Sequence, residues 1–232
     1  MKNNFTLLYL EDDKIIRENF SEIFKTYFST VISTDNGNEA LELYEKNKID
    51  VAILDVNVNG LDGISVASEI RKTSSEENLI ILMISAHSDR KKLMRAINLQ
   101  LFGYLTKPVH RQELFSSLDE IVTTLTIKNM LILTKEYKWN EASNQLFYKE
   151  KELKLTKNET KAIQSLIINK NSFMSACDIQ YEIFGEKEMK HNSCNNIVQL
   201  LSRLKKKMDL LHHSSDYFIE NCYGVGYRIT IN

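Results

Sequence analysis

Apolar and polar residues in the first half of the chain form a repeating order of strand-like and helix-like segments. Unbroken apolar runs such as 51–54 and 79–84 are typical of strands buried on both faces of a parallel sheet. Residues 14–28 instead repeat apolar side chains at helical spacing. The alternation predicts an α/β fold, a doubly wound (βα)5 arrangement with a parallel five-stranded sheet. The predicted strands are 5–10, 31–33, 51–55, 79–84 and 103–105, and the predicted helices are 14–28, 39–48, one ending at Ile70, 89–99 and 113–122.

The second half of the chain has a different pattern. Residues 137–155 alternate between apolar and polar and predict a small antiparallel sheet. A capping box at Thr156 and Glu159 predicts the start of a first helix, and two more helical stripes follow. Two strand-like segments, 217–221 and 227–231, then flank a glycine turn. Three helices followed by a hairpin predict an α+β winged helix-turn-helix domain.

The net charge of the chain also differs between the first half and the second half. Residues 1–122 carry 14 basic and 19 acidic side chains, a net charge of -5, whereas residues 123–232 carry 16 basic and 12 acidic, a net charge of +4. This asymmetry predicts two domains, the second of which faces nucleic acid. We predict one domain at 1–122, a short linker at 123–134 and a second domain at 135–232.

The cysteines and the apolar runs restrict the environment of the protein. Cys177, Cys194 and Cys222 are odd in number and lack C-x-x-C spacing, so the sequence indicates neither a disulfide framework nor a zinc site, as in a reducing cytosol. The N-terminus has no signal-peptide core. No apolar run approaches the ~20 residues that span a bilayer. We therefore predict a soluble, cytoplasmic protein with no membrane partner.

Polar residues follow the predicted parallel strands. The acids at 11–13, Asp55, Ser85 and Lys107 all stand at carboxyl ends, which meet in one crevice. Clustered carboxylates repel one another without a cation, so they imply a divalent metal, and all-oxygen ligands favour Mg²⁺ or Mn²⁺. Asp55 can then act as a nucleophile toward a phosphoryl group. Lys107 and Ser85 would supply a charge and a donor to the transferred oxygens.

These residues carry a resemblance to a known family. Glu11-Asp12, Asp55, Ser85 and residues 104–108 resemble the receiver domain of two-component response regulators. The intervals in sequence from Asp12 to Asp55, Ser85 and Lys107 are similar to those of the OmpR/PhoB-type members. The resemblance covers residues 5–122. It implies that a partner sensor histidine kinase phosphorylates this domain.

The resemblance also implies a role for each residue of the crevice. Asp55 would be the phosphoacceptor and Asp12 a direct ligand of the metal. Glu11 would bind the metal mainly through water. The backbone carbonyl of Asn57 would complete the metal's ligand shell.

A further part of the resemblance concerns the response to phosphorylation. Ser85 and Tyr104 resemble the family's switch pair, whose hydroxyl and aromatic ring move when phosphate arrives. The Lys107-Pro108 peptide would be cis and would aim the lysine. Asn57 and His87 stand where family members tune the lifetime of the phosphoaspartate.

The third helix of the second half, predicted at 193–208, has an apolar stripe and an opposite polar face. Amide side chains on this face suit base edges in the major groove, and basic side chains suit phosphates. The predicted DNA contacts of this helix are Asn195, Asn196, Gln199, Ser202, Arg203, Lys205 and Lys206, with Lys207 beside them.

The second half also resembles the OmpR/PhoB-type regulators. Residues 155–159, 202–207 and 224–228 are similar to motifs of their DNA-binding domain, and the resemblance covers residues 130–232. It implies that Tyr223 and Arg228 contact DNA from the hairpin. Tyr223 takes the place of an arginine that reaches the minor groove in the family.

We predict a transcriptional response regulator in which phosphorylation of Asp55 controls binding to promoter DNA as a homodimer, and which catalyses only its own phosphorylation and dephosphorylation. Two alternatives stay open. An aspartate-nucleophile phosphatase would carry an acid at position 57, where this chain has Asn57. The second alternative is a phosphorylation-independent regulator with an atypical dimer face. It stays open because residues 100–103 replace the Gly-Ala-Asp-Asp run that OmpR/PhoB-type members usually carry in their dimer face.

Overall fold

The structure is a computed structural model of the chain. It divides into two compact units between Lys128 and Asn129. The residues that it describes are 3–73, 79–86, 99–185, 194–210 and 217–231. Each unit is described by itself below.

The first unit is a five-stranded sheet in the order β2-β1-β3-β4-β5, with every pair of strands parallel. This confirms the predicted α/β architecture. The predicted helix at 89–99, apart from Leu99, and His87 lie outside the described residues. The strands are β1 (Asn3–Leu10), β2 (Phe28–Thr34), β3 (Val51–Asp55), β4 (Ile80–Ala86) and β5 (Gly103–Lys107), and the described helices are α1 (Lys14–Tyr27), α2 (Gly37–Lys46), α3 (Gly63–Thr73) and α4 (Arg111–Lys128).

The central strands explain the unbroken apolar runs. Every residue of β3 is buried, and β4 is buried from its first residue through Ser85. On one face, apolar side chains of β1, β3 and β4 pack with Val66, Ala67 and Ile70 of α3. A strand covered on both faces places no residue in water, which is why its sequence does not alternate.

The second unit contains a four-stranded antiparallel sheet, three described helices and a hairpin, as a winged-helix domain does. Its core includes Tyr137, Trp139, Leu146, Leu166 and Leu201. The sheet is formed by β6 (Met130–Ile132), β7 (Tyr137–Asn140), β8 (Gln145–Tyr148) and β9 (Lys151–Leu153), the helices are α5 (Lys157–Ile168), α6 (Ala176–Phe184) and α7 (Asn195–Asp209), and the hairpin strands are β10 (Ile219–Cys222) and β11 (Gly226–Ile229).

The segment predicted as a linker differs from that prediction. Residues 123–128 form the last turns of α4, and residues 130–132 form β6, which pairs with β7. Strand β6 was not predicted because it has three residues and Ile132 is 65% exposed, so no burial pattern marks it. Pairing with β7 holds it in place.

The ends of two helices agree with the sequence signals. Thr156 and Glu159 form the predicted capping box of α5. Gly185 ends α6 with a positive φ of 73°, a conformation that favours glycine. A second capping box, formed by Ser175 and Asp178, begins α6 and was not predicted.

The expectation that the cysteines form no disulfide is wrong for one pair. Cys177 and Cys194 are joined by a disulfide, with 5.0 Å between their Cα atoms, and Cys222 is a free, exposed thiol. The two paired residues are 17 positions apart in sequence. Their approach depends on how α6 and the start of α7 pack, which the spacing of cysteines along the chain does not reveal.

Candidate functional site

The crevice at the carboxyl ends of the strands brings three predicted residues into contact. Asp55 is the last residue of β3 and is 3% exposed, Glu11 follows β1 and is fully buried, and Lys107 ends β5. The Lys107 Nζ lies 2.6 Å from the Asp55 Oδ2 and 2.9 and 2.8 Å from the two carboxylate oxygens of Glu11. The amine therefore bridges two buried carboxylates from different strands.

Burial and charge both change the titration of this group of residues. Burial raises the pKa of Glu11, and the hydrogen bond and charge of Lys107 only partly oppose that rise. Burial alone would lower the pKa of Lys107, but its hydrogen bonds to Asp55 and Glu11 outweigh burial, and the pKa is raised. Lys107 is therefore held as an ammonium ion. The buried Tyr9, which sequence reasoning missed, donates from its hydroxyl to Glu11 Oε2 at 3.4 Å.

The acids of the crevice form a group that fits a divalent cation. Glu11, Asp12 and Asp55 each offer a carboxylate oxygen, and these oxygens lie within 4.8 Å of one another. Hard cations such as Mg²⁺ prefer oxygen ligands of this kind. Asp12 is exposed, so the group is open to solvent on its side. Asn57 lies beside it, and its backbone N–H donates to the Asp55 Oδ1 at 3.2 Å.

The loop after β3 is held closely against Asp55. The Val56 N–H donates to the Ile84 carbonyl at 2.9 Å, and the Gly63 N–H donates to the Val56 carbonyl at 3.1 Å. A Cβ added to Gly63 would lie 2.1 Å from the backbone oxygen of Asp55. Only glycine therefore permits this close approach of α3 to β3. The glycine was visible in the sequence as part of a loop, but its contact was not.

Arg17 of α1 supports the acidic residues Glu11 and Asp12. Arg17 donates from Nη1 to the carbonyl oxygens of Glu11 and Asp12 at 2.6 and 3.2 Å, so it holds the backbone that carries both acids. No sequence motif marked Arg17. Asp13, the third acid of the run, caps α1 by accepting from the Ile15 N–H at 2.8 Å.

The predicted switch residues lie on neighbouring strands. Ser85 is buried in β4, and its hydroxyl donates to the Ala86 carbonyl at 3.2 Å. Tyr104 lies on β5 opposite Met83, half-buried, and packs against the apolar cluster beside α3. The Lys107-Pro108 peptide is cis, as predicted.

The polar face of α7 is exposed in the second unit. Ile197, Leu201, Leu204 and Met208 face the core. Lys207 turns away from this face, with its Nζ 3.2 Å from Glu159 and a hydrogen bond to the Lys154 carbonyl. The exposed residues include all the helix positions predicted to contact DNA: Asn195, Asn196, Gln199, Ser202, Arg203, Lys205 and Lys206.

The hairpin presents its two predicted contacts differently. Tyr223 at the tip is fully exposed. Arg228 is held on the strand, because its Nε lies 2.7 Å from the Glu220 carboxylate and its guanidinium lies 4.4 Å from the ring centroid of Phe173. Sequence reasoning missed Glu220, whose pairing with Arg228 follows from the hairpin register.

Comparison with known proteins matches a part of each half of the chain to a family model. Residues 7–119 match the family model described as response regulator receiver domain, and residues 150–229 match the one described as transcriptional regulatory protein, C terminal. None of the described helices is long and apolar enough to cross a membrane.

Individual relatives match over nearly the whole chain. "Regulatory protein VanR" of Enterococcus faecium is 26% identical over 96% of this chain and 97% of its own. "Cell cycle response regulator CtrA" of Brucella anthropi is 26% identical over 95% of this chain and 94% of its own. Among solved structures, the N-terminal domain of an uncharacterized Wolinella succinogenes protein matches 53% of this chain and 98% of that chain, with 28% identity and a TM-score of 0.50.

Proposed function

Since this chain belongs to the two-component response regulators, with a receiver domain followed by the C-terminal domain of transcriptional regulatory proteins, we propose that phosphorylation of Asp55 controls its binding to promoter DNA. The observation that carries the proposal is the Lys107 amine, which bridges Asp55 and Glu11. A lysine held charged beside a buried aspartate is an arrangement suited to receiving an anionic group. The protein would work in the cytoplasm.

The phosphoryl transfer uses groups at the carboxyl ends of the parallel strands. A carboxylate oxygen of Asp55 attacks the phosphorus of a phosphohistidine on the kinase, so an O–P bond forms and the N–P bond breaks. Lys107 then stabilises the negative charge of the transferred oxygens, and the Ser85 hydroxyl donates to one of them. A Mg²⁺ or Mn²⁺ ion held by Glu11, Asp12, Asp55 and the Asn57 carbonyl would neutralise charge on the same oxygens. The chain would thus catalyse only its own phosphorylation and dephosphorylation.

The output of the switch lies in the second unit. When Ser85 turns toward the phosphoryl group, the half-buried Tyr104 ring swings inward, and this changes one face of the receiver. We expect the exposed face of α7 to enter the major groove. Arg203, Lys205 and Lys206 would contact phosphates, and Tyr223 and Arg228 would contact DNA from the hairpin.

Phosphorylated chains would bind DNA as a homodimer, although the face differs from the family's usual one. Leu101 packs against the apolar cluster, and the Phe102 N–H donates to the Ile81 carbonyl at 2.8 Å. Both residues are half-buried, so the stretch that replaces the family's Gly-Ala-Asp-Asp run belongs in part to the core. The phosphorylation-independent alternative is not favoured, because the acid, serine and lysine set of the crevice is complete.

The test compares DNA binding and oligomeric state with and without acetyl phosphate and Mg²⁺. We expect acetyl phosphate to tighten the binding of the wild-type protein to promoter DNA, or to make the protein dimerise. In Asp55→Asn we expect acetyl phosphate to change neither. Glu45→Gln, at an exposed acid of α2, is the matched control and should respond as the wild type does. Equal responses in Asp55→Asn and wild type would refute the proposal.

A further inference from the structure

We propose that Cys177 and Cys194 form a reversible redox-modification site that orders the DNA-facing end of α7. Cys177 is the second residue of α6 and is exposed, and Cys194 immediately precedes α7. Their Cα atoms are 5.0 Å apart, within the range that disulfides require. Cytosolic disulfides are usually transient or redox-sensing, so a pair in a transcriptional regulator fits a reversible modification better than a permanent crosslink.

The start of α7 is held differently from the starts of the other two helices that the structure describes in its unit. Helices α5 and α6 each begin with a capping box, in which a hydroxyl and a carboxylate satisfy backbone N–H groups. Cys194 stands at the corresponding position of α7, but its side chain makes no capping hydrogen bond. Uncapped first turns are less stable. The bond to Cys177 is a covalent side-chain link between this helix end and α6, in addition to the burial of Ile197 in the core.

This end of α7 carries the residues with which the helix would contact bases. Recognition helices of helix-turn-helix proteins contact base edges with their N-terminal residues, here Asn195, Asn196 and Gln199. The inference therefore rests on the DNA-binding face proposed above. A segment that is already ordered loses less conformational freedom on binding. The disulfide form should bind DNA more tightly than the dithiol form.

The chemistry needs a small disulfide such as oxidised glutathione as the oxidant. The exposed Cys177, as a thiolate, attacks one sulfur of the small disulfide and releases the first small thiolate. Cys194 then attacks the Cys177 sulfur of the mixed disulfide and releases the second. Two protein thiols lose two electrons and two protons, and one small disulfide becomes two thiols. Reduced glutathione reverses both steps.

The experiment uses the full chain equilibrated in oxidised or reduced glutathione. Peptide mapping identifies the bonded cysteines, and hydrogen exchange measures the amides of residues 196–199. Fluorescence anisotropy measures affinity for a duplex selected from a random library with the oxidised protein. Cys177→Ser and Cys194→Ser remove the bond, and Cys222→Ser, at the exposed cysteine of β10, is the matched control.

We expect oxidation to join Cys177 to Cys194, to slow exchange in the first turn of α7 and to tighten binding about fivefold, the effect of one helix cap. Cys177→Ser and Cys194→Ser should bind as the reduced wild type does in both buffers, and Cys222→Ser should respond as wild type. Failure of the bond to form, or unchanged or weaker binding in the bonded form, would overturn the inference. If the oxidised protein selects no duplex from the library, the proposed DNA face fails, while mapping and exchange still decide whether the bond orders α7.

Discussion

Replacing Lys107 by methionine should destabilise the first unit when divalent cations are removed by a chelator. The substitution keeps most of the side-chain length but leaves the buried carboxylates of Asp55 and Glu11 without their shared cation. Removing one partner of a buried ion pair costs about 3–5 kcal/mol. Because the Lys107 side chain is 26% exposed and solvent screens part of its charge, we expect about 3 kcal/mol.

Urea unfolding measures this loss one unit at a time. The single tryptophan, Trp139, lies in the second unit, so its fluorescence reports on that unit and serves as an internal control. Circular dichroism follows both units. With a slope of about 2 kcal/mol per molar urea, the first unit's midpoint should fall by about 1.5 M. The control is Lys46→Met, which removes an exposed ion pair with Glu42 and should shift the first unit's urea midpoint little.

The loss should depend on pH and on Mg²⁺. Burial raises the pKa of Glu11, and Lys107 partly lowers it, so the variant's Glu11 should have a still higher pKa. A carboxyl whose pKa is higher in the folded than in the unfolded chain stabilises the fold at low pH, and this contribution is lost as pH rises through the folded pKa. The loss of unfolding free energy in Lys107→Met, relative to wild type, should therefore be smaller at about pH 5 than at about pH 8.

Added Mg²⁺ should stabilise the variant more than the wild type, because a bound cation replaces the missing charge. An unchanged midpoint in chelator would refute the reasoning, as would an equal shift of the Trp139 transition.

Three further predictions follow from single contacts. Gly63→Ala forces a Cβ toward the backbone oxygen of Asp55, the proposed phosphoacceptor. It should slow phosphorylation by acetyl phosphate, measured by intact-protein mass, more than tenfold, about 1.4 kcal/mol. A normal rate would mean that the loop yields without moving Asp55. Gly226→Ala should lower the urea midpoint, followed by tryptophan fluorescence, more than Gly224→Ala does. A Cβ added at Gly226 would lie 2.1 Å from the Met174 carbonyl oxygen, whereas a Cβ added at Gly224 would meet nothing within 4 Å. Equal losses would show that only their positive φ angles matter. Arg203→Ala should weaken DNA binding and reduce its salt dependence by about one phosphate contact. Lys207→Ala should instead lower stability while leaving the salt dependence unchanged, because this lysine pairs with α5.

Local patterns in the sequence predict much of the fold. The apolar runs of β3 and β4 predict buried parallel strands because a strand covered on both faces cannot alternate. Parallel strands place their carboxyl ends together, so the sequence alone brings Asp55 and Lys107 to one crevice. The capping box at Thr156 is equally local, since its two partners are three residues apart.

The contacts that decide how the site works are between residues distant in sequence, and only the tertiary structure reveals them. Lys107 reaches Glu11 across 96 positions, and whether an amine bridges two carboxylates depends on distances that no spacing rule supplies. Arg17 holds the acidic backbone without any motif. Strand β6 needs β7 to exist, and Cys177 meets Cys194 only because α6 packs beside the start of α7. Sequence patterns record which face of an element is buried, whereas pairing between elements depends on how those faces pack together.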